Sequence, residues 1–247
     1  MNAQNPPASR PRAGLIESTM LNLFARRGQV LEIEEVGPAF RVITIGSEAL
    51  RTAEWTPGDK VQISLGGWAM RTFTPIEWDA ENGRTRIIVY LHAGGPGAEW
   101  ARALKKGDEC VAMGPRRSLD LTQLATSAIL FGDETSIGLA SALLSAVRPS
   151  SAHLLFEVSS LANAQPALAR FGLEHSLLGE RAENDEHLDA LEERLRTTVE
   201  AMPSANIVLS GKASSAQRMR KLLKRLDIPM ARLHVKAYWA TGKTGLD

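Results

Sequence analysis

The feature that most constrains this chain is a change of rhythm near its middle. From about Val30 to Met113 the pattern is short and strand-like. Val61, Ile63 and Leu65 alternate with Gln62 and Ser64, and similar runs occupy Phe40–Ile45 and Arg84–Leu91. Gly, Pro and Asp separate them, at Val36-Gly37-Pro38, Thr56-Pro57-Gly58-Asp59 and Glu81-Asn82-Gly83. Period-two runs broken by turn residues predict a small antiparallel barrel. From Ser127 the spacing lengthens. The runs SAILF, HLLFEV, ANIVL and RLHVK read as strands, and helical patterns fall between them. One is a small-residue helix after GDETS, ending at Val147. A second spans Asp185–Glu200, with Leu188, Leu191, Leu195 and Val199 on one face. A third spans Ser214–Leu226, opening on a capping box from Ser214 to Gln217. Strands alternating with helices predict a parallel sheet covered on both faces. The switch of rhythm places a boundary near Leu119–Ala125. A helix over Leu15–Arg27 precedes the first strand.

Composition limits what such a pair of halves can do. The 247 residues suffice for two domains, and bases and acids nearly cancel to a net charge of +1. That balance gives no field for nucleic acid or an anionic membrane. With one cysteine, Cys110, the chain cannot form an internal disulfide. Cys110 lies in an apolar strand and reads as a buried thiol, and the histidines lack metal-ligand spacing, so no metal site is expected. The leader MNAQNPPASRPR is polar and proline-rich, without the apolar core of a secretory signal. No run reaches the ~18–20 apolar residues of a membrane span. The expectation is a cytoplasmic monomer with a disordered leader over residues 1–13.

The chemistry concentrates in LHAGGPGAEWARALKKGD, residues 91–108, where an apolar strand meets a glycine-rich turn and a helical pattern. Strand, glycines and helix start present backbone amides to phosphate, although a sterically glycine-rich corner gives the same pattern. The turn is not G-x-G-x-x-G and lies in the barrel half, which excludes a dinucleotide fingerprint. Gly242-Lys243-Thr244 fails as a P-loop because Ala237 holds the position of its first glycine. Twenty residues upstream, Arg71-Thr72-Phe73-Thr74 combines a forked cation suited to a diphosphate with an aromatic two positions on, on the same strand face. Gly114-Pro115-Arg116 adds a rigid turn and another cation.

The ordered series RTFTPIEWD, LHAGGPGAEWA, GDECVAMGPRR, GDETS, SGKAS and KAYW resembles the siderophore-interacting protein family, FAD-containing ferric-siderophore reductases of the ferredoxin-NADP reductase-like superfamily. The resemblance spans about Leu15 to Trp239. It implies a six-stranded antiparallel Greek-key barrel binding FAD over residues 14–122, followed by a Rossmann-like parallel α/β sheet for NAD(P)H over residues 123–247. It further implies that Arg71 pairs with the FAD diphosphate, with Thr72 beside it, that Phe73 stacks on the flavin, and that Thr74 bonds near its reactive edge as the catalytic contact. His92 with Gly95, Pro96 and Gly97 would hold the adenine-side phosphates, Trp100 and Ala101 packing behind, and Arg116 would contribute a cation. Asp133, Glu134 and Thr135 would frame the nicotinamide, with helix capping as the alternative role. Lys212 would contact NADPH or NADH, and Lys236 and Arg232 an anionic chelate.

The sequence departs from the family at Phe73 for tyrosine, Gly97 for alanine, Arg117 for glycine and Ser136-Ile137-Gly138 for Ala-Leu-Pro. It also carries Tyr238-Trp239-Ala240-Thr241-Gly242 where relatives often have arginines. The reaction implied is electron transfer from NAD(P)H, or a ferredoxin-like donor, through FAD to a ferric siderophore. A general NAD(P)H:flavin or quinone oxidoreductase is the alternative within the fold. A non-catalytic siderophore- or nucleotide-binding protein is the alternative from another class.

Overall fold

The structure is a computed structural model that describes residues 25–243 apart from 67, 68, 93 and 125. The expected leader lies outside the described residues, as does the expected helix over Leu15–Arg27 up to residue 24. Its last three residues, Ala25–Arg27, instead open strand β1 (Ala25–Val36).

Six more strands follow in the first half: β2 (Phe40–Gly46), β3 (Lys60–Gly66), β4 (Ala69–Phe73), β5 (Pro75–Asp79), β6 (Arg84–Tyr90) and β7 (Glu109–Arg116). They form one antiparallel sheet in the order β4-β3-β7-β1-β2-β6-β5. Its two edges, β4 and β5, are consecutive in sequence and separated only by Thr74. The chain itself therefore joins the two edges and curls the sheet into a barrel. Taken as one kinked strand, β4–β5 gives the six strands expected; taken separately they make seven. Proline at the start of β5 suits the kink, because Pro75 has no amide hydrogen to give to a ladder. Helix α1 (Pro96–Ala103) plugs one end of the barrel between β6 and β7. Its Ala101 is fully buried beside Val89, Leu104 and Ala112. Gly114-Pro115-Arg116 is not a separate turn. It is the last segment of β7, with a cis Gly114–Pro115 bond.

The second half is a parallel sheet of β8 (Ser127–Asp133), β9 (Ser151–Val158), β10 (Leu177–Glu180), β11 (Asn206–Lys212) and β12 (Leu233–Trp239), in the order β10-β9-β8-β11-β12. The inner strands β8, β9 and β11 are apolar runs buried on both faces, as a sheet covered by helices requires. On one face lie α4 (His187–Ala201) and α5 (Ala213–Arg225), whose leucine stripes were legible in the sequence. On the other lie α2 (Ile137–Ala142) and α3 (Leu161–Arg170). Helix α5 starts at Ala213, so Ser214 lies inside it, and Lys212 caps it without a side-chain bond. The expected capping box does not form, because the helix begins directly where β11 ends.

The two halves share a core. Phe40, Val42, Ile76 and Ile88 of the barrel pack in one cluster with Ile137, Leu139 and Phe156 of the α/β half. Gly138 makes this close approach possible: a Cβ there would lie 2.9 Å from Ile88 Cγ2. The departure at Ser136-Ile137-Gly138 is thus a docking contact between the halves. A buried apolar seam of this kind fixes their relative position.

Candidate functional site

A cleft of about 560 Å³ opens where the kink of β4–β5 faces the carboxyl ends of the parallel strands. Its volume lies within the roughly 300–1,000 Å³ of small-molecule and cofactor sites. The barrel wall is made by Arg71, Phe73 and Thr74, by His92, and by the start of α1 at Gly95–Ala98. The opposite wall carries Glu134, Thr135, Arg181 and Trp239.

On the barrel wall, donors converge. Gly95 caps α1 without a side-chain bond and Pro96 occupies its first turn, so the amides of Gly97 and Ala98 face the cleft without a side-chain acceptor. Both glycines permit close packing: a Cβ on Gly97 would sit 3.1 Å from Arg71 Cγ, and one on Gly95 would sit 2.2 Å from His92 Cε1. Arg71 gives one bond to the Met70 carbonyl at 2.7 Å and makes no ion pair among the described residues. Trp100 lies behind, its ring tilted against Phe73 at 6.3 Å.

The sheet wall is a closed web of charge. Asp133, at the end of β8, is fully buried and accepts from the Thr135 amide at 2.9 Å and from the Trp239 indole at 2.6 Å. Ser136 Oγ accepts the Asp133 amide in return, a capping box for the turn that starts α2. Burial pushes the Asp133 carboxyl upward, against the pull of its Thr135 and Trp239 donors. Arg181 bridges the acids, 2.9 Å from Glu134, 3.5 Å from Asp133 and 3.7 Å from Glu157, and lies over the Trp239 ring. The Ser159 hydroxyl also donates to Glu134, at 2.6 Å. His187 completes the web. The Ala182 amide donates to its Nδ1, and its Nε2 lies 3.0 Å from Glu157. At the kink, Thr74 Oγ1 and Tyr238 Oη lie 3.1 Å apart. Desolvation pushes the Tyr238 phenol up to about 12, which keeps it protonated as a donor.

Among the residues expected from sequence, the cleft gathers Arg71, Thr72, Phe73, Thr74, His92, Gly95, Pro96, Gly97, Glu134, Thr135 and Lys236. Trp100, Ala101 and Asp133 stand one layer behind. Arg116 does not line the cleft and donates to Gln62 on the neighbouring strand β3. Lys212 also lies off the cleft, 3.3 Å from Asp185. Arg232 precedes β12 and so sits at the opposite end of the sheet, held by the Ala205 carbonyl at 2.6 Å. Four positions along a strand span about 13 Å, which separates Arg232 from Lys236 and the cleft. Sequence reasoning missed Arg181, Ser159 and Tyr90. Arg181 follows β10, a four-residue strand without a clear alternation.

A model of the siderophore-interacting FAD-binding domain matches residues 67–119, and a model of the siderophore-interacting protein matches residues 125–242. The chain belongs to the siderophore-interacting protein family. No curated protein sequence matches it. Among solved structures, a siderophore utilization protein from T. fusca superposes with a TM-score of 0.68 at 21% identity, over 90% of this chain and 95% of that one. A siderophore-interacting protein from Aeromonas hydrophila gives 0.68 at 22%, over 89% and 93%. A ferredoxin-NADP+ reductase from Plasmodium falciparum gives 0.68 at 12%, over 87% and 96%. These likenesses establish a ferredoxin reductase-like fold. The barrel wall fits the FAD of the family: two capless amides and a guanidinium with no ion pair among the described residues suit a diphosphate, and Phe73 offers a ring face.

Proposed function

We propose that this protein is a flavin-dependent ferric-siderophore reductase, with residues 14–122 holding FAD and residues 123–247 receiving the electron donor. The observation that carries the reading is the convergence on one cleft of Arg71, the α1 amides and the carboxyl edge of a parallel sheet. Bound FAD supplies the chemistry, accepting a hydride and handing on single electrons to ferric iron. Arg71 and the amides of Gly97 and Ala98 bind the diphosphate. Phe73 positions the ring system, and Thr74, held by Tyr238, gives it a hydrogen bond at the kink. Glu134, Thr135 and Trp239 bound the space left for a nicotinamide. The web around Arg181 keeps these groups in place without a general acid or a nucleophile.

Lys236 and Lys243 line the same cleft and make no ion pair among the described residues. Their charge favours an anionic ferric chelate over a neutral quinone as acceptor. Reduction lowers the positive charge on the iron, and ferrous iron binds hard oxygen donors more weakly, which favours release. The test is anaerobic reduction of the flavin-loaded protein, followed by mixing with a ferric catecholate, a ferric hydroxamate or a quinone. The reading predicts re-oxidation by a ferric chelate at least tenfold faster than by the quinone, with a ferrous chelator capturing the iron. Faster turnover with the quinone would assign the protein to general oxidoreduction instead.

A further inference from the structure

In the order β10-β9-β8-β11-β12, the direction of winding reverses between β8 and β11. Open parallel sheets bind nucleotides outside the carboxyl ends of their strands at this reversal. Loops after β10 and β11 therefore flank the place where the adenosine end of a nicotinamide dinucleotide lies. A 2′-phosphate there needs uncommitted cations; a 2′-hydroxyl needs an acceptor, commonly a carboxylate.

The cations of this rim are committed. Lys212, at the end of β11, pairs with Asp185 at 3.3 Å. Arg218 on α5 pairs with Glu192 at 2.9 Å and with Asp189, and also bonds the Asp185 carbonyl. Arg181 serves the buried web beneath. Residues 182–193 carry six carboxylates and no lysine or arginine. Lys212, Arg218 and Arg225, the last 4.0 Å from Glu192, balance Asp185, Asp189 and Glu192, and Glu183 and Glu186 of the same run leave an excess of acid. A phosphate of nearly two negative charges would meet this excess of acid and would have to displace carboxylates from both cations. A ribose diol meets acceptors instead. Asp185 is held in the left-handed region at φ 56, which fixes the loop that presents it. The remaining cations of α5, Arg220, Lys221 and Lys224, lie beyond the first turn of the helix and away from its start.

We infer that Asp185 and Asp189 set the donor specificity of this site, selecting NADH and excluding NADPH through the charge of the 2′ position. The inference rests on the nicotinamide-donor reading above. It is tested by calorimetric titration of the FAD-loaded protein with NAD+ and NADP+, and with AMP and 2′-phospho-AMP, none of which requires turnover. Wild type is expected to bind NAD+ at least tenfold more tightly than NADP+, with AMP and 2′-phospho-AMP in the same order. The double variant Asp185→Asn/Asp189→Asn frees Lys212 and leaves Arg218 its Glu192 partner alone, and should shift the ratio at least tenfold towards NADP+, chiefly by tightening NADP+. Asp185→Asn alone, checked by circular dichroism, gives the same direction where the double variant does not fold. Wild type binding NADP+ as tightly as NAD+, or variants that leave the ratio unchanged, would overturn the inference while the donor reading stands. Failure of both dinucleotides to bind a flavin-loaded wild type would overturn the two together and move the donor role to a protein.

Discussion

On the barrel wall of the cleft, Arg71 bonds only its own strand among the described residues and the first amides of α1 have no side-chain cap; on the sheet wall, Arg181, Glu134, Asp133, Glu157, His187 and Trp239 contact one another. The first wall is a set of donors waiting for an anion. The second already has its cation engaged by three acids. A ligand on the barrel wall gains interactions that the protein cannot make alone, which suits a resident cofactor. A ligand on the sheet wall competes with internal partners or settles for what they leave, which suits a donor that must depart each cycle. The same logic extends to the rim, where Lys212 and Arg218 are paired before any nucleotide arrives.

The comparison breaks most visibly at Arg181. Replacing it with methionine leaves Asp133, Glu134 and Glu157 buried without their cation. Removing one partner of a buried ion pair costs about 3–5 kcal/mol, so the midpoint of urea denaturation should fall sharply. A loss below about 1 kcal/mol would mean that the web is not the closed system described. Gly211→Ala probes the same wall from the backbone. Gly211 has φ +82, and an added Cβ would lie 2.6 Å from Asp133 Cγ. Strain of that kind costs about 1–3 kcal/mol, and the indole fluorescence of Trp239 should change as Asp133 is displaced.

A smaller effect separates the exposed contact between the halves from the buried one. Glu34 on β1 meets Arg170 of α3 at 2.5 Å and Arg86 at 3.2 Å. The Arg170 hydrogen bond holds the Glu34 carboxyl below its ordinary value of about 4.5. Its stabilisation is therefore complete above that value and is lost as pH falls through the lowered one. Partly exposed pairs contribute about 0.2–1 kcal/mol. Glu34→Gln should reduce stability by that amount at pH 7 and flatten the acid limb of the stability profile. A variant as stable as wild type at both pH 7 and pH 3 would show that the apolar seam alone joins the halves.

The two walls also differ in how far the sequence disclosed them. Arg71, Phe73 and the Gly95–Gly97 turn each fall in one short contiguous motif, so their grouping was readable. The sheet wall is assembled from distant positions. Asp133 meets Trp239 across 106 residues, and Arg181 hangs on a strand of four. Nothing in local periodicity encodes such contacts, and they arise only from the order of a parallel sheet. The same cause explains Arg232, whose charge was visible but whose end of the sheet was not. It also explains the Lys212–Asp185 pair, since the acidic run at residues 182–193 carries no mark of which cation it will meet. The kink at Thr74-Pro75 was not read: a proline permits a break, but nothing local says that the chain closes a barrel there.

The claim that the barrel wall holds a flavin diphosphate is tested most directly by the visible absorption spectrum of the purified protein, titrated with FAD beside Arg71→Ala. The account predicts a yellow wild type that carries or takes up one FAD, and a variant that binds it 10–100-fold more weakly, the worth of one charge-assisted contact at about 1.5–3 kcal/mol. A colourless wild type that cannot take up FAD, or a variant that retains it unchanged, would contradict it.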